Sequence, residues 1–354
     1  MKLLIITQKV DRADSNLGFF HHWLEKFAGK VEKLYVVCLA KGEHSLPDNV
    51  EVFSLGKENG YSKIAQFFRL QKFLWRNLGK VDGVFFHMCP IYVILSYPMV
   101  KIFRKKTGLW YLHRSLNWKF KLAAKMADII FTASEESCGL KDRKKIQVIG
   151  HGIDTEMFMK KALGSFQLKG TECLFLLYVG RIAPIKNLET LVEAVDILVH
   201  QKKVGVKAVL VGEPVDSTEK QYSQKIEQLV MQKNLQDVIM FKGKAVYSEM
   251  PQVYQKADIL VNLCPTGGLD KAVLEAMASG ILVLVANGSF KQDFGCYADM
   301  LIFRYGDSCD LANKICFLQN SADVGIVGNF LRERVVKFHN LDNLIDKIIS
   351  FFNA

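Results

Sequence analysis

The sequence predicts an α/β protein built from two parallel-sheet domains. Short apolar runs of strand length alternate with helix-periodic segments along the whole chain, the pattern of successive βαβ units. At 354 residues the chain is too long for one ordinary core, so two domains are expected. A hydrophobic content of 50% with only 7 Pro fits compact, well-buried domains.

In the first half, strands are expected at Lys2–Thr7, Leu34–Leu39, Val50–Leu55, Gly83–His87, Leu109–His113, Ile129–Ala133 and Ile146–Ile149. In the second half they are expected at Leu174–Val179, Lys207–Val211, Val238–Phe241, Ile259–Leu263, Leu282–Ala286 and Met300–Phe303. Asp154 to Gly170, with Lys160 and Lys161, reads as a linker. The chain therefore divides into domains at 1–160 and 161–335 and a C-terminal helix at 336–354. In that tail Leu344, Ile345, Ile348, Ile349 and Phe352 stand at helical spacing.

The long apolar stretch from Gly83 to Val100 is broken by His87, Pro90 and Pro98, and reads as a strand and a buried helix rather than a membrane span. Met1 to Gln8 reads as a first strand, because its apolar run is too short for a signal peptide. Eight Cys without a Cys-x-x-Cys pair or regular spacing read as small core residues of a reducing cytosol, not as a disulfide framework or zinc site. A cytoplasmic protein is expected.

The basic excess sits in the first half. Residues 1–165 carry 27 Lys and Arg against 15 Asp and Glu; residues 166–354 carry 20 against 21. Ser62 to Lys80 reads as a helix bearing Phe67, Phe68, Phe73, Leu74 and Trp75 among Lys63, Arg69, Lys72, Arg76 and Lys80. Lys101 to Lys125 interleaves Trp110, Trp118 and Phe120 with further cations. Such segments suit an anionic membrane surface or a phosphate-bearing acceptor. They equally suit a solvated basic face whose aromatics belong to the core. No nucleic-acid-binding module is visible, so nucleic acid is not the expected partner.

The most informative motif is Gly267-Gly268-Leu269-Asp270-Lys271 through Glu275 to Gly280. A strand, a glycine turn and a helix start present free backbone N–H groups to an anion or a polar ligand. Glu275, a carboxylate inside an apolar helix, needs a partner. A ligand hydroxyl or a nearby Arg would serve. Arg181 and Lys186 share the loop between the strand Leu174–Val179 and a helix over Leu188–Val199. Two cations near a helix N-terminus suit a diphosphate, unless they are merely solvated. Gly212-Glu213 and Gly243-Lys244 end two further strands.

The segments YVGRIAPIKNLETLVEA, VGE, FKGKAVYSEMPQVYQKADILVNLC and GGLDKAVLEAMASG, in this order and spacing, resemble the donor half of retaining, nucleotide-sugar-dependent glycosyltransferases of the two-Rossmann (GT-B) architecture, the family-four group of glycosyl transferases group 1. The resemblance is strong over residues 170 to 290 and weaker elsewhere. It implies two Rossmann-like domains facing across a cleft, with the C-terminal helix crossing back to the first. It implies transfer of a sugar, with retained anomeric configuration, from a nucleotide-diphosphate sugar to a lipid-linked or surface-glycan acceptor. The chain would then act in the cytoplasm or peripherally on the inner face of the membrane.

By the same resemblance, Gly180, Arg181, Lys186, Gly212, Glu213, Lys244, Ala245, Val246, Gly267, Gly268, Leu269, Asp270, Lys271 and Glu275 bind the donor. Asn16, Leu17 and Gly18 lie in the acceptor loop, and His113 stands near the reacting centre. Arg181 and Lys186 neutralise the leaving diphosphate, and Glu275 meets the ribose hydroxyls. His151, at an interdomain turn, reads as structural. One departure stands out. The family's Glu-x7-Glu pair keeps its second member as Glu275 but has Gly267 in place of the first, which in the family contacts the transferred sugar. Asp270, or the backbone amides of Gly268, Leu269 and Asp270, would then take over a sugar hydroxyl. No Asp-x-Asp occurs in the chain, so neither a metal nor another cofactor is expected. Two other readings remain open: a non-catalytic nucleotide-sugar-binding partner subunit, and a nucleotide-sugar 2-epimerase.

Overall fold

The alternating strand and helix signals resolve, in a computed structural model, into two parallel sheets. The structure describes residues 1–14, 17–113, 116–140, 143–159, 168, 170 and 172–354. Met1–Gly152 together with Leu341–Ala354 forms one unit, and Ile153–Asn340 forms the other.

In the first unit, β1 (Lys2–Val10), β2 (Lys33–Lys41), β3 (Val50–Ser54), β4 (Gly83–His87), β5 (Lys106–Trp110), β6 (Ile129–Thr132) and β7 (Ile146–Val148) make a seven-stranded sheet ordered β3-β2-β1-β4-β5-β6-β7. Every pairing is parallel. The helices α1 (Gly18–Ala28), α2 (Lys63–Asn77), α3 (Pro90–Ile102) and α4 (Trp118–Met126) connect the strands. Side chains that cap the first turn fix two of the starts: Ser62 Oγ accepts from the Ala65 amide at α2, and Asn117 from the Phe120 amide at α4.

The second unit holds β8 (Leu174–Val179), β9 (Val206–Val211), β10 (Ile239–Gly243), β11 (Ile259–Asn262) and β12 (Leu282–Val285), all parallel, in the order β10-β9-β8-β11-β12. Its helices are α5 (Leu188–Asp196), α6 (Ser217–Gln232), α7 (Met250–Gln255), α8 (Lys271–Ala278), α9 (Lys291–Phe294), α10 (Ala298–Leu301), α11 (Ser308–Asn320) and α12 (Val324–Phe338). The last helix, α13 (Leu341–Asn353), belongs to the first unit.

Strand alternation sends successive side chains to opposite faces of the first sheet. Leu4, Ile6, Val84 and Phe86 pack under Leu70 and Leu74 of α2, Val93 of α3 and Phe120 of α4. Leu3, Ile5 and Phe85 pack under Phe20 and Trp23 of α1 and Leu344, Ile345 and Ile348 of α13. The C-terminal helix therefore covers sheet that would otherwise be wet. Lys26–Asp342 (3.1 Å) and Lys30–Asp346 (2.6 Å) tie it to α1 and to the turn that follows α1. A Cβ on Gly83 would stand 2.2 Å from a ring carbon of Phe352, so only glycine at the start of β4 lets α13 lie this close.

Four expectations need correction. The boundary falls at Gly152/Ile153 and Asn340/Leu341, not at 160 and 335, because the Ile153 amide donates to His339 O (2.7 Å) and Asn340 Nδ2 to Thr155 Oγ1 (2.7 Å). The chain thus enters and leaves the second unit at one point. The strand expected at Leu109–His113 runs instead over Lys106–Trp110, since Thr107 and Gly108 are buried and register with β4. Met300–Phe303 is no strand: α10 ends at Leu301, and Ile302 makes a single bridge to Val285. A short buried apolar run does not distinguish the two by period. All eight cysteines are free, yet only Cys38, Cys89, Cys138 and Cys264 are buried, while Cys296 and Cys309 are exposed.

All four Trp lie in the first unit, so their fluorescence reports that unit alone. Ile348→Ala, which opens a cavity under α13, should lower its stability in urea by about 2–5 kcal/mol. The exposed Lys347→Ala on the same helix should stay within about 0.5 kcal/mol of wild type. Equal curves for Ile348→Ala and wild type would mean that α13 is not part of the first unit's core.

Candidate functional site

Open parallel sheets bind ligands beyond the carboxyl ends of their strands, where the strand order reverses. In the second unit that point lies between β8 and β11. The loop after β8 runs through Gly180, Arg181 and the turn Pro184–Lys186, ending at Asn187 in the left-handed region. The loop after β11 runs from Leu263 to Asp270, where α8 begins. Lys186 joins the two, donating to Cys264 Sγ (3.0 Å) and pairing with Asp270 Oδ1 (3.4 Å), while Asn262 Nδ2 donates to Asp270 Oδ2 (2.8 Å). Burial alone would lower the Lys186 pKa, but Asp270 and Cys264 hold it above the usual lysine value. Burial alone would raise Asp270, but Lys186 holds it below the usual range. Asp270 therefore anchors Lys186.

Arg181 is half-exposed and donates to Glu219 Oε1 in the first turn of α6 (2.9 Å). The neighbouring loops are close-set. Gly180 and Gly212 both take positive φ, and a Cβ on Gly212 would lie 1.8 Å from Gly180 O. The Gly212 amide donates to Gly243 O (2.8 Å), and Lys244 pairs with Glu213 at 3.5 Å. Ala245 and Val246 follow in the same loop, leading into Tyr247 and α7.

Glu275 lies one turn into α8 and is buried. Its partner is neither Arg nor solvent. Tyr254 donates to Oε2 (2.8 Å), and Lys271 sits 3.5 Å from Oε1 with its ammonium 4.5 Å from the centre of the Tyr247 ring. Burial raises the Glu275 pKa against the opposing pull of Lys271, and lowers Lys271 to about 8 against the pull of Glu275. The turn before α8 is held by Asn287, which accepts from the Gly267 amide (3.2 Å) and donates to Gly268 O (2.9 Å). Ser289 Oγ donates to Gly267 O (2.6 Å). The Gly267 peptide is thus committed, but its Cβ position is open, with no atom nearer than Pro265 O at 3.7 Å. Nothing steric requires glycine where the family has Glu. Leu269 is buried beneath this turn.

In the first unit the order reverses between β1 and β4. There a cavity of about 250 Å³ is lined by Leu17, His113, Gln8, His87, Trp110 and His151, among others. A second cavity, of about 400 Å³, shares Gln8, Met88 and His113 and reaches Asn117 and Lys119. His113 follows β5, edge-on to Tyr111 (5.5 Å), and partial burial lowers its pKa from the usual histidine value. His87 ends β4, stacked on Phe20 (3.7 Å), with Nδ1 at 3.1 Å from Thr7 Oγ1. Gly18 is buried at the start of α1, and Asn16 lies outside the described residues.

The structure thus brings Arg181, Lys186, Asp270, Lys271 and Glu275 to the loops and helix around one switch point, and Leu17 and His113 to the other. Sequence reasoning missed Tyr254, Asn287 and Glu219, whose partners stand 21, 20 and 38 residues away. The Lys271–Glu275 pair, at i and i+4, was legible in principle. Among the described residues, no group of three or more His, Cys, Asp or Glu is placed to hold a metal ion, and no helix is long and apolar enough to cross a membrane.

Residues 164–321, wholly within the second unit, match the family described as glycosyl transferases group 1. The chain is 27% identical over 163 residues to a mannosylfructose-phosphate synthase of Agrobacterium fabrum, a match covering 44% of this chain and 36% of that protein. It is 22% identical over 337 residues to a UDP-Gal:alpha-D-GlcNAc-diphosphoundecaprenol alpha-1,3-galactosyltransferase of Escherichia coli, covering 89% of this chain and 80% of that one. HepE of Anabaena, solved in complex with UDP, matches with a TM-score of 0.78 at 16% identity, covering 100% of both chains. The two Rossmann-like parallel sheets are the architecture of these GT-B structures.

The Lys186–Asp270 pair yields a stability test. Lys186→Ala leaves a half-buried carboxylate without its cation and should cost about 1–3 kcal/mol. Asp270→Ala should cost a similar amount, and the double variant less than the sum. Strict additivity in thermal melts would show that the pair is not coupled.

Proposed function

Taking Ile153–Asn340 as a domain of the glycosyl transferases group 1 family, we propose that this protein is a retaining glycosyltransferase that uses a nucleotide-diphosphate sugar and needs no metal. The observation that carries the reading is Lys186 and Arg181 together at the β8/β11 switch point, beside the start of α8. The diphosphate engages the Arg181 guanidinium and the Lys186 ammonium, with the helix start adding partial positive charge. Both cations already have acidic partners, so a bound diphosphate joins Asp270 on Lys186 and Glu219 on Arg181. Glu275 accepts from the ribose hydroxyls, held in place by Tyr254 and Lys271. The loop Lys244–Val246 meets the base through its backbone.

In the reaction, the bond from the anomeric carbon to the diphosphate oxygen breaks. The acceptor hydroxyl oxygen bonds to that carbon from the same face, and its proton passes to the departing diphosphate. Retention follows without an enzymic nucleophile. The donor we propose is a UDP-hexose, the nucleotide named for the E. coli relative. The acceptor is a lipid-linked or surface glycan held in the first unit's cavities around His113, met in the cytoplasm at the inner face of the membrane.

A thermal-shift screen of UDP-, GDP- and ADP-hexoses should single out a UDP-hexose, with a stabilisation of about 2.7 kcal/mol at 100 times its Kd. Arg181→Ala should stay folded and lose most of the shift, because a charge-assisted phosphate contact contributes about 1.5–3 kcal/mol. Glu275→Gln should fold and bind the donor more weakly. Donor binding without hydrolysis or transfer to any lipid-extract acceptor would instead make the chain a nucleotide-sugar-binding subunit.

Transfer should also survive EDTA. Complete loss restored by magnesium or manganese would overturn the metal-free step, and an inverted anomeric centre in the product would overturn retention.

A further inference from the structure

Helix α2 carries two apolar faces. Leu70, Phe73 and Leu74 are buried against the first sheet. On the other side Ile64, Phe68 and Trp75 are exposed to 71%, 64% and 62%. At 3.6 residues per turn these three fall within about 40° of one another, so they form a single stripe. Trp75 meets Phe103 edge-on (5.9 Å), which joins the stripe to the end of α3, where Ile102 is 66% exposed. An apolar stripe left outside a folded domain marks an interaction surface.

Its charge is one-sided. Between Glu58 and Asp128 the chain has 13 Lys and Arg and one acidic residue, Asp82, which accepts from the Lys2 amide (2.7 Å). Lys63, Lys72, Arg76 and Lys80 are exposed along α2 and the turn that follows it. Next to Ile102, a cavity of about 460 Å³ is lined by Lys101, Arg104, Lys105 and Lys106. Its carboxylate, Asp128, accepts from the Thr107 amide and hydroxyl (both 2.8 Å). Arg69, by contrast, is turned inward, bonded to Ser54 O (2.9 Å) and stacked over Phe53 and Tyr61.

We infer that the outer face of α2 and the end of α3 form a docking surface for an anionic lipid bilayer. Ile64, Phe68, Trp75 and Ile102 enter the headgroup boundary, and the surrounding cations engage lipid phosphates, one of them in the cavity beside Ile102. A helix with an apolar face bordered by Lys and Arg lies in the plane of such an interface. Nucleic acid would answer the charge but not the stripe, whose two most exposed members are isoleucines with no ring to stack on a base. The inference supplies a surface for the lipid-linked acceptor of the proposed function and rests on that reading for its purpose, but its test uses neither donor nor acceptor.

The full chain is floated with vesicles of phosphatidylcholine alone or with phosphatidylglycerol added. Wild type should float only with phosphatidylglycerol, and 1 M salt should release it as the Debye length falls from ~10 Å at 0.1 M to ~3 Å. Lys72→Glu with Arg76→Glu should weaken binding at least 25-fold, since each cation contributes about fivefold near such a surface. Phe68→Ser with Trp75→Ser should weaken it at least tenfold at an unchanged melting point, and Phe317→Ser, exposed on α11 of the other unit, should not weaken it. Wild type that stays at the bottom at low salt overturns the inference. So does a Phe68→Ser/Trp75→Ser variant that floats like wild type, or sedimentation showing that wild type is a dimer which this variant dissociates. The thermal shift with a UDP-hexose should be unchanged in all these variants. Failure to float therefore leaves the donor reading standing, and failure to bind donor leaves the docking surface standing.

Discussion

Every described strand pairing in both sheets is parallel, and a parallel sheet must be covered on both faces because βαβ connections and its apolar strands leave neither side fit for water. In the first unit that requirement reaches the end of the chain. Helix α1 alone leaves part of the face formed by Leu3, Ile5, Phe85 and Phe131 open, and α13 closes it. Gly83 and Gly108 are the complement on the sheet, since a Cβ at either would meet the Phe352 ring or its neighbours. The chain can return because Ile153 and Asn340 pair where it enters and leaves the second unit.

The same parallel order creates the sites. A switch in strand order separates two adjacent loops and leaves room between them for a ligand. At β8/β11 the protein spans that room with Lys186. The amine is kept charged by Asp270, and Asp270 is kept ionised by Lys186 and Asn262, so the cation is in place before any ligand arrives. The Lys271–Glu275 pair behaves differently. Burial pushes both groups toward neutrality, and Tyr254, donating to Oε2, fixes the orientation of the carboxylate.

Period and punctuation made much of the fold legible. The strands Gly83–His87 and Leu174–Val179 were placed to the residue, and α2 begins one residue after Ser62 because that serine caps it. The errors have local causes. Lys106 to Gly108 lacks the apolar run that marks a strand, so β5 was set three residues late. The Met300–Phe303 run is apolar but too short to show a period. The aromatics of the basic segments could not be sorted by sequence: Phe73, Trp110 and Phe120 are core, whereas Phe68, Trp75 and Trp118 are exposed.

By itself the sequence determined most of the strands and the start of α2, because turn chemistry and hydrophobic period are local properties of the chain. It placed Arg181, Lys186, Asp270 and Glu275 in the right loops and helix, and it put the basic excess in the first half. Only the tertiary structure decided their partners. Lys186 meets Asp270 from 84 residues away, Arg181 meets Glu219 from 38, and Glu275 meets Tyr254 from 21. Such pairings follow from strand order, which depends on how whole elements pack and leaves no periodic trace in the chain. For the same reason, which face of α2 is buried and which is left to solvent was settled only when the first sheet took one of them.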